Sequence, residues 1–314
     1  MSLALSEAWK YQGLTYPNPA VGCTIVGKNS QLLAVEAHQK AGLAHAEVLA
    51  LQTAYSKLTN DTKILELKQS NDIHQYLLKH HNSCFKDIEL YTTLEPCSHV
   101  GKTPSCASLI SKLGVKKVFI GSNDFNEEAS NGKDILSTCR VEVEENIMRK
   151  ECDELLEPFK LWSEKRFVFF KMAQRLDGSN DGEVSSKTSR TTVHAMRDIC
   201  DLLVIGGNSV RIDRPILDAR LVDGKAPDIL IVSKEKEFDK SIALFNVKGR
   251  KVFIESDFKR LDDYKNIMIE GTQNMRELSK SFVDYELIYL ATNEKVLNIQ
   301  KDTQDIIMWM KRES

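Results

Sequence analysis

The sequence predicts two consecutive α/β domains. Segments with strand and helix patterning alternate along the chain, which is the signature of a sheet covered by helices. The alternation restarts after Glu157-Pro158, which places a boundary between 1–156 and 157–314. The length of 314 residues is about twice the ~150 residues typical of one domain. An apolar content of 42% and a charged content of 28% suit a folded globular chain and exclude a disordered one.

In the first half, residues 2–12 read as a helix, and Tyr16-Pro17-Asn18-Pro19 reads as a turn. Residues 21–26 and 32–37 form a strand pair joined around Gly27-Lys28-Asn29. Residues 45–58 have helical spacing. Val48, Leu51, Tyr55 and Leu58 share one face, and Gln52 and Lys57 fall off it. The polar stretch 59–86 reads as a partly helical insertion outside the core, a solvated flap or an oligomer contact. A strand over 88–92 leads into a loop over 94–103. Thr103 as N-cap and Pro104 at the first helical position then open a helix that runs to Lys112, with Gly114 as its C-cap. A strand over 115–120 and a helix over 144–156 complete this half. The second half reads as strands over 166–172, 202–206, 228–232, 251–254, 266–269 and 286–290, with a helix over 190–199.

The near-neutral net charge of -2 gives no reason to expect nucleic acid or an anionic membrane as partner. The N-terminus lacks a signal-peptide pattern, and no apolar run is long enough to span a bilayer. A cytoplasmic location follows, where the seven cysteines are expected to be reduced, as metal ligands or core residues.

The chemistry concentrates in His45-Ala46-Glu47, Pro96-Cys97 and Cys106. One imidazole and two thiolates are the ligand set of a catalytic zinc that keeps a fourth position for water. The pattern H-x-E…P-C-x-x-C marks zinc deaminases. Zinc lowers the pKa of its bound water to about 7. Glu47, two residues from His45, is placed to carry the water's proton to a ring nitrogen and then to leaving ammonia. A helix opening near Thr103-Pro104 would turn its positive end toward the Cys106 thiolate. A structural zinc would need a fourth protein ligand, which His99 could supply, and iron accepts the same set.

Eight residues, not two, separate Cys97 from Cys106. The stretch Thr93-Leu94-Glu95-Pro96-Cys97-Ser98-His99-Val100-Gly101-Lys102-Thr103-Pro104-Ser105-Cys106 resembles the deaminase of the bifunctional RibD family of riboflavin biosynthesis. So do Pro17-Asn18-Pro19-Ala20-Val21-Gly22-Cys23 and His45-Ala46-Glu47-Val48. The resemblance implies a cytidine-deaminase-like three-layer domain. It implies hydrolytic deamination of a diaminopyrimidinone that carries a ribosylamino 5'-phosphate. Asn18 would read the pyrimidine edge, and His99, Lys102 and Thr103 would hold the phosphate.

Lys171-Met172-Ala173-Gln174-Arg175-Leu176-Asp177-Gly178 resembles the K-x-A-x-S-L-D-G strand of the family's reductase, with Arg175 where serine is usual. Residues 193–197 and 206–220 follow two further motifs. This resemblance implies a compact, divergent, dihydrofolate-reductase-like α/β domain that reduces the ribosyl group to ribityl with NADPH. It places Ala173, Ser209, Asp213 and Gly271 at the cofactor and Arg197, Leu217, Arg220 and Glu270 at the substrate. Thr272 replaces the second glycine of the E-G-G loop, and Glu183 stands where the family has tryptophan. The alternatives are a deaminase with a degenerate reductase domain, a nucleoside or nucleotide deaminase, and a non-catalytic zinc scaffold. An enzyme coupling two steps is expected to form a homo-oligomer. His38 and His194 read as structural or solvent-facing, Cys23, Cys84, Cys139, Cys152 and Cys200 as core or surface residues, and His80-His81-Cys84 as a minor metal candidate.

Overall fold

A computed structural model describes residues 1–98, 104–124, 131–180, 182, 184–291 and 305–312. The chain divides into two compact units, Met1–Phe159 and Lys160–Ser314.

The first unit runs α1 (Ser2–Trp9), β1 (Gly22–Val26), β2 (Leu32–Ala37), α2 (Ala46–Thr59), α3 (Ser70–His80), β3 (Glu89–Leu94), α4 (Cys106–Leu113), β4 (Lys117–Ser122), α5 (Gly132–Thr138), β5 (Glu142–Glu144) and α6 (Arg149–Glu164), whose last turn enters the second unit. Its five-stranded sheet has the order β2-β1-β3-β4-β5. The β1 strand pairs antiparallel with β2 and β3, and the β3–β4 and β4–β5 pairs are parallel. The main core lies under α2, α3 and α4. On α1 and α6, Leu5, Ala8, Cys152 and Leu155 form a second cluster. These two helices come so close to the sheet that a side chain on Gly22 would meet the Ala4 carbonyl, and one on Gly121 would meet Cys152 Sγ. The result is a three-layer α/β/α domain.

Four expectations for this unit change. The 59–86 segment is not a solvated flap. Ile64, Ile73, Leu77 and Phe85 are fully buried in the main core, each worth about 1.5–3 kcal/mol of transfer free energy. Gln52, expected off the buried face of α2, is buried, and its Nε2 donates to the Ile64 carbonyl at 2.6 Å and the Leu67 carbonyl at 3.0 Å. Leu58, expected on that face, is exposed. Pro158 does not end a helix but lies inside α6.

The second unit continues with β6 (Phe167–Arg175), α7 (Lys187–Ile199), β7 (Leu202–Gly206), α8 (Gly207–Asp213), β8 (Asp228–Val232), β9 (Val252–Glu255), β10 (Asn266–Glu270), α9 (Gln273–Ser279), β11 (Tyr285–Ala291) and β12 (Ile306–Lys311). The sheet order is β12-β11-β6-β10-β7-β8-β9. Every pair is parallel except β11–β12. Both faces are covered, so β6 reads as a continuous apolar run rather than an alternating one. Val168 and Phe170 enter one core with Leu202, Val204, Ile267 and Ile269. Phe167 and Phe169 stack against each other and against Trp309 of β12, a strand that the sequence pattern had not indicated.

Candidate active site

His45 is the N-cap of α2, with extended backbone angles (φ -70°, ψ 161°). That conformation turns its side chain away from the helix while Glu47 sits in the first turn. Cys97 follows β3, and Cys106 is the first residue of α4. Ser105 fixes the two cysteine segments together. Its Oγ accepts from the Ser108 amide at 3.2 Å as N-cap and donates to the Cys97 carbonyl at 2.9 Å. The Cys106 amide donates to Cys97 Sγ at 3.4 Å. The helix therefore opens at Ser105-Cys106, two residues later than expected, with the Ser105 oxygen as the capping acceptor.

His45 Nδ1 lies 3.7 Å from Cys97 Sγ and 3.5 Å from Cys106 Sγ. The three ligand atoms lie within 4.8 Å of one another, the one such His/Cys/Asp/Glu group among the described residues. Tetrahedral zinc, with Zn–N of about 2.0 Å and Zn–S of about 2.3 Å, requires N···S separations of about 3.5 Å. The three residues therefore fit zinc. The Cys97 thiol is pulled down to about 4 by hydrogen bonding from Cys106, against burial and with help from His45. The Cys106 thiol is held high by its bond to Cys97 and by burial. Burial opposes charge on His45, but its bond to Cys97 and the neighbouring Glu47 outweigh burial and leave it raised. Glu47 is buried, and desolvation lifts its carboxyl to about 7 despite the His45 charge. A carboxyl poised near neutrality can both take and give a proton.

His38, expected as structural or solvent-facing, is structural. It is buried, packed edge-on against His45 at 5.5 Å, with burial lowering its pKa to about 4. Its Nδ1 donates to the Ala44 carbonyl at 3.1 Å, which can only accept. Nε2 then carries the lone pair and accepts from Asn18 Nδ2 at 3.0 Å. The Asn18 amide is thereby oriented with its nitrogen toward His38. Glu95, also buried, accepts the Asp124 and Lys133 amides at 3.3 and 3.1 Å, tying the end of β4 and the start of α5 to the strand before Cys97.

In the second unit, a cavity of about 330 Å³ opens at the carboxyl ends of β6, β7 and β10. This is where open α/β sheets bind ligands. Ala173, Ser209, Asp213, Glu270 and Gly271 line it, together with Lys171. Glu270 is gripped by Arg197, Nε and Nη2 each bonding a carboxylate oxygen at 2.9 Å. Burial would raise the Glu270 carboxyl, but Arg197 and Lys171 hold it down to about 2. Burial lowers Lys171, and Glu270 opposes the shift.

Residues 1–122 match the family described as the cytidine and deoxycytidylate deaminase zinc-binding region, and residues 166–288 match the RibD C-terminal domain. A riboflavin biosynthesis protein RibD of Aquifex aeolicus is 30% identical over 307 residues, covering 92% of this chain and 78% of that protein. The chain belongs to the RibD family. A second RibD, of Bacillus amyloliquefaciens, is 32% identical over 245 residues, 75% of this chain and 58% of its own. The fold is that of a Thermotoga maritima diaminohydroxyphosphoribosylaminopyrimidine deaminase/5-amino-6-(5-phosphoribosylamino)uracil reductase, at TM-score 0.62 and 24% identity over 99% of this chain and 97% of that one.

His45, Cys97 and Cys106 converge on one point, with Glu47 interacting with all three and Asn18 joined to His45 through His38. His99, Lys102 and Thr103 lie outside the described residues, as does Glu183. In the reductase half, five of the assigned residues line one cavity, and Arg197 joins it through Glu270. Leu217 and Arg220 do not line it. They surround Asp218, whose carbonyl Arg197 Nη1 reaches at 3.4 Å and whose carboxylate Arg220 Nη1 holds at 2.5 Å. His194, expected as structural or solvent-facing, is buried with Nδ1 3.9 Å from that carboxylate. Lys171 stands in its motif without an assigned role, and a lysine in the middle of an otherwise apolar, buried strand is the signal that marks it. His38 carried no motif signal in the sequence.

Proposed function

We propose that this chain performs both steps of its family. It deaminates a diaminopyrimidinone bearing a ribosylamino 5'-phosphate, and it reduces the ribosyl group of the product to ribityl with NADPH. The observation that carries the reading is the zinc-sized His45–Cys97–Cys106 triangle with the buried Glu47 beside it, in a chain that also carries the RibD C-terminal domain.

Zinc, held by His45, Cys97 and Cys106, supplies Lewis acidity that makes water a nucleophile at neutral pH. Glu47 takes one proton of the attacking water and gives it to the ring nitrogen, where it stays, and then carries the second proton from the new hydroxyl to the departing amine, so that ammonia leaves as the ring carbonyl forms. Asn18, its amide fixed by His38, offers Oδ1 to an N–H on the pyrimidine edge. His99, Lys102 and Thr103 bind the phosphate.

In the second unit NADPH supplies the hydride. Ala173, Ser209, Asp213 and Gly271 would hold the cofactor, and the cavity they line falls in the size range of ligand pockets. Arg197, Leu217, Arg220 and Glu270 hold the phosphorylated sugar. The substrate is a small molecule. A homo-oligomer in the cytoplasm fits the exposed Ile306 and Ile307 on the edge strand β12 and the seven free cysteines. No helix among the described residues is long and apolar enough to cross a membrane.

The test is ammonia release from the pyrimidine by zinc-loaded protein, followed by NADPH addition and loss of its absorbance. Both signals are expected. Glu47→Gln should keep one zinc and lose ammonia release by about 10²–10⁴-fold. Full activity in that variant would refute the deaminase assignment, and ammonia without NADPH oxidation would refute the reductase.

A further inference from the structure

The chain leaving α8 turns at Leu217, which has φ +57°. A residue with a side chain adopts this left-handed conformation at a cost of about 1–2 kcal/mol, so something must hold it. Arg250, two residues before β9, reaches this turn from a distant part of the sequence. Its Nη1 donates to the Ile216 carbonyl at 2.9 Å and its Nη2 to the Leu217 carbonyl at 2.6 Å. Its Nε is buried without a partner, so the guanidinium spends its described bonds on these two oxygens alone. One planar group thus fixes both peptides that flank Leu217.

Both peptides are trans, so their N–H groups point opposite to their carbonyls. The amides of Leu217 and Asp218 therefore face away from Arg250. Among the described residues neither has an intramolecular partner. Successive free amides around a left-handed residue form a concavity suited to an oxyanion. The surroundings do not oppose an anion: the nearby carboxylates are paired, Glu270 with Arg197 and Asp218 with Arg220, and the buried His194 carries an unpartnered Nδ1 beside Asp218. The Asp218 carboxylate is itself neutralised by Arg220.

We propose that Arg250 is a positioning residue of the reductase half, which presents the Leu217 and Asp218 amides to the substrate phosphate by holding the two carbonyls behind them. The inference rests on the assignment of Leu217 to the sugar phosphate. The bonds of Arg250 go to the two carbonyls, and it lies outside every motif of the sequence.

The test uses the zinc-loaded full chain, with ribose 5-phosphate, ribose and NADPH titrated calorimetrically into wild type, Arg250→Lys and Arg250→Met. Loss of ordered amide donors to a charged acceptor should weaken ribose 5-phosphate about tenfold or more in Arg250→Met. NADPH affinity should stay within about twofold, since a group acting only through the phosphate leaves the cofactor alone. Arg250→Lys, which can hold one carbonyl at a time, should fall between. Equal ribose 5-phosphate affinity in wild type and Arg250→Met overturns the proposal. So does no binding by wild type, or a parallel loss of sugar phosphate and NADPH binding in both variants, which would mark a purely structural arginine. A wild type that binds ribose 5-phosphate in this Arg250-dependent way but oxidises no NADPH refutes the reductase reading and leaves the positioning role standing.

Discussion

Glu270→Gln removes one charge from a buried pair and leaves the shape nearly unchanged. Both side chains of the Arg197–Glu270 pair are 12% exposed, and the two bonds between them are parallel and 2.9 Å long. Folding takes the Glu270 carboxyl from 4.5 to about 2. At 1.36 kcal/mol for each tenfold change in acidity, the ionised pair contributes on the order of 3 kcal/mol. Removing one partner of a buried pair costs about 3–5 kcal/mol by an independent route, because the other charge stays desolvated. For a domain of this size that is a drop of about 6–12 °C in melting temperature. The assay is thermal unfolding followed by fluorescence of Trp162 and Trp309, the tryptophans of the second unit. The folded-state pKa is depressed, so the stabilisation is complete above about pH 4.5 and is lost as pH falls through about 2. The gap between wild type and Glu270→Gln should be widest near pH 7, shrink below 4.5 and vanish near 2. A shift under about 2 °C at pH 7, or a gap that ignores acid, would refute the account. The double variant Arg197→Met/Glu270→Leu should recover only part of the loss, because the buried Lys171 then lacks the carboxylate that opposes its desolvation.

Two further outcomes test the deaminase half. Leu77→Ala in α3 should destabilise the first unit by about 2–5 kcal/mol, since Leu77 is fully buried; an unchanged melting curve would return the 59–86 segment to the status of an appendage. His38→Phe keeps a ring against His45 but deletes the acceptor that orients Asn18, so the KM for deamination should rise about tenfold with kcat and zinc content retained; loss of zinc would show that His38 supports the metal site instead.

The zinc site was legible because it depends on residue identity. His45, Glu47, Cys97 and Cys106 announce their chemistry wherever the fold places them, and the His45 N-cap position needs only the helix start that the apolar spacing marks. The core was less legible where composition misleads. In α3 the apolar residues Ile73 and Leu77 recur at helical spacing, but Lys79, His80 and His81 around them make the segment look solvated. Gln52 looked like a surface residue because nothing local shows that its amide will meet the backbone of residues 64 and 67. Pro158 looked like a boundary, yet α6 tolerates the missing N–H and continues. The strand β12 lacks polar alternation, and its partner β11 is seen only once the sheet exists. Arg250 and His38 were silent for a related reason. Each bonds a backbone carbonyl, and carbonyls have no letter in a sequence.

The Ser105 hydroxyl that ties the Cys97 carbonyl to the first turn of α4 has an evolutionary meaning. It makes the corner that offers two sulfurs a closed object, independent of how much chain lies between them. Extending the interval from two residues to the eight found here costs about 1.2 kcal/mol in loop closure, because that cost grows only with the logarithm of length. A lineage can therefore lengthen, shorten or rewrite the residues between Cys97 and Ser105 while the metal corner stays as it is. Substrate choice and metal geometry then answer to separate stretches of sequence, and one zinc scaffold becomes able to serve pyrimidines carrying quite different appendages.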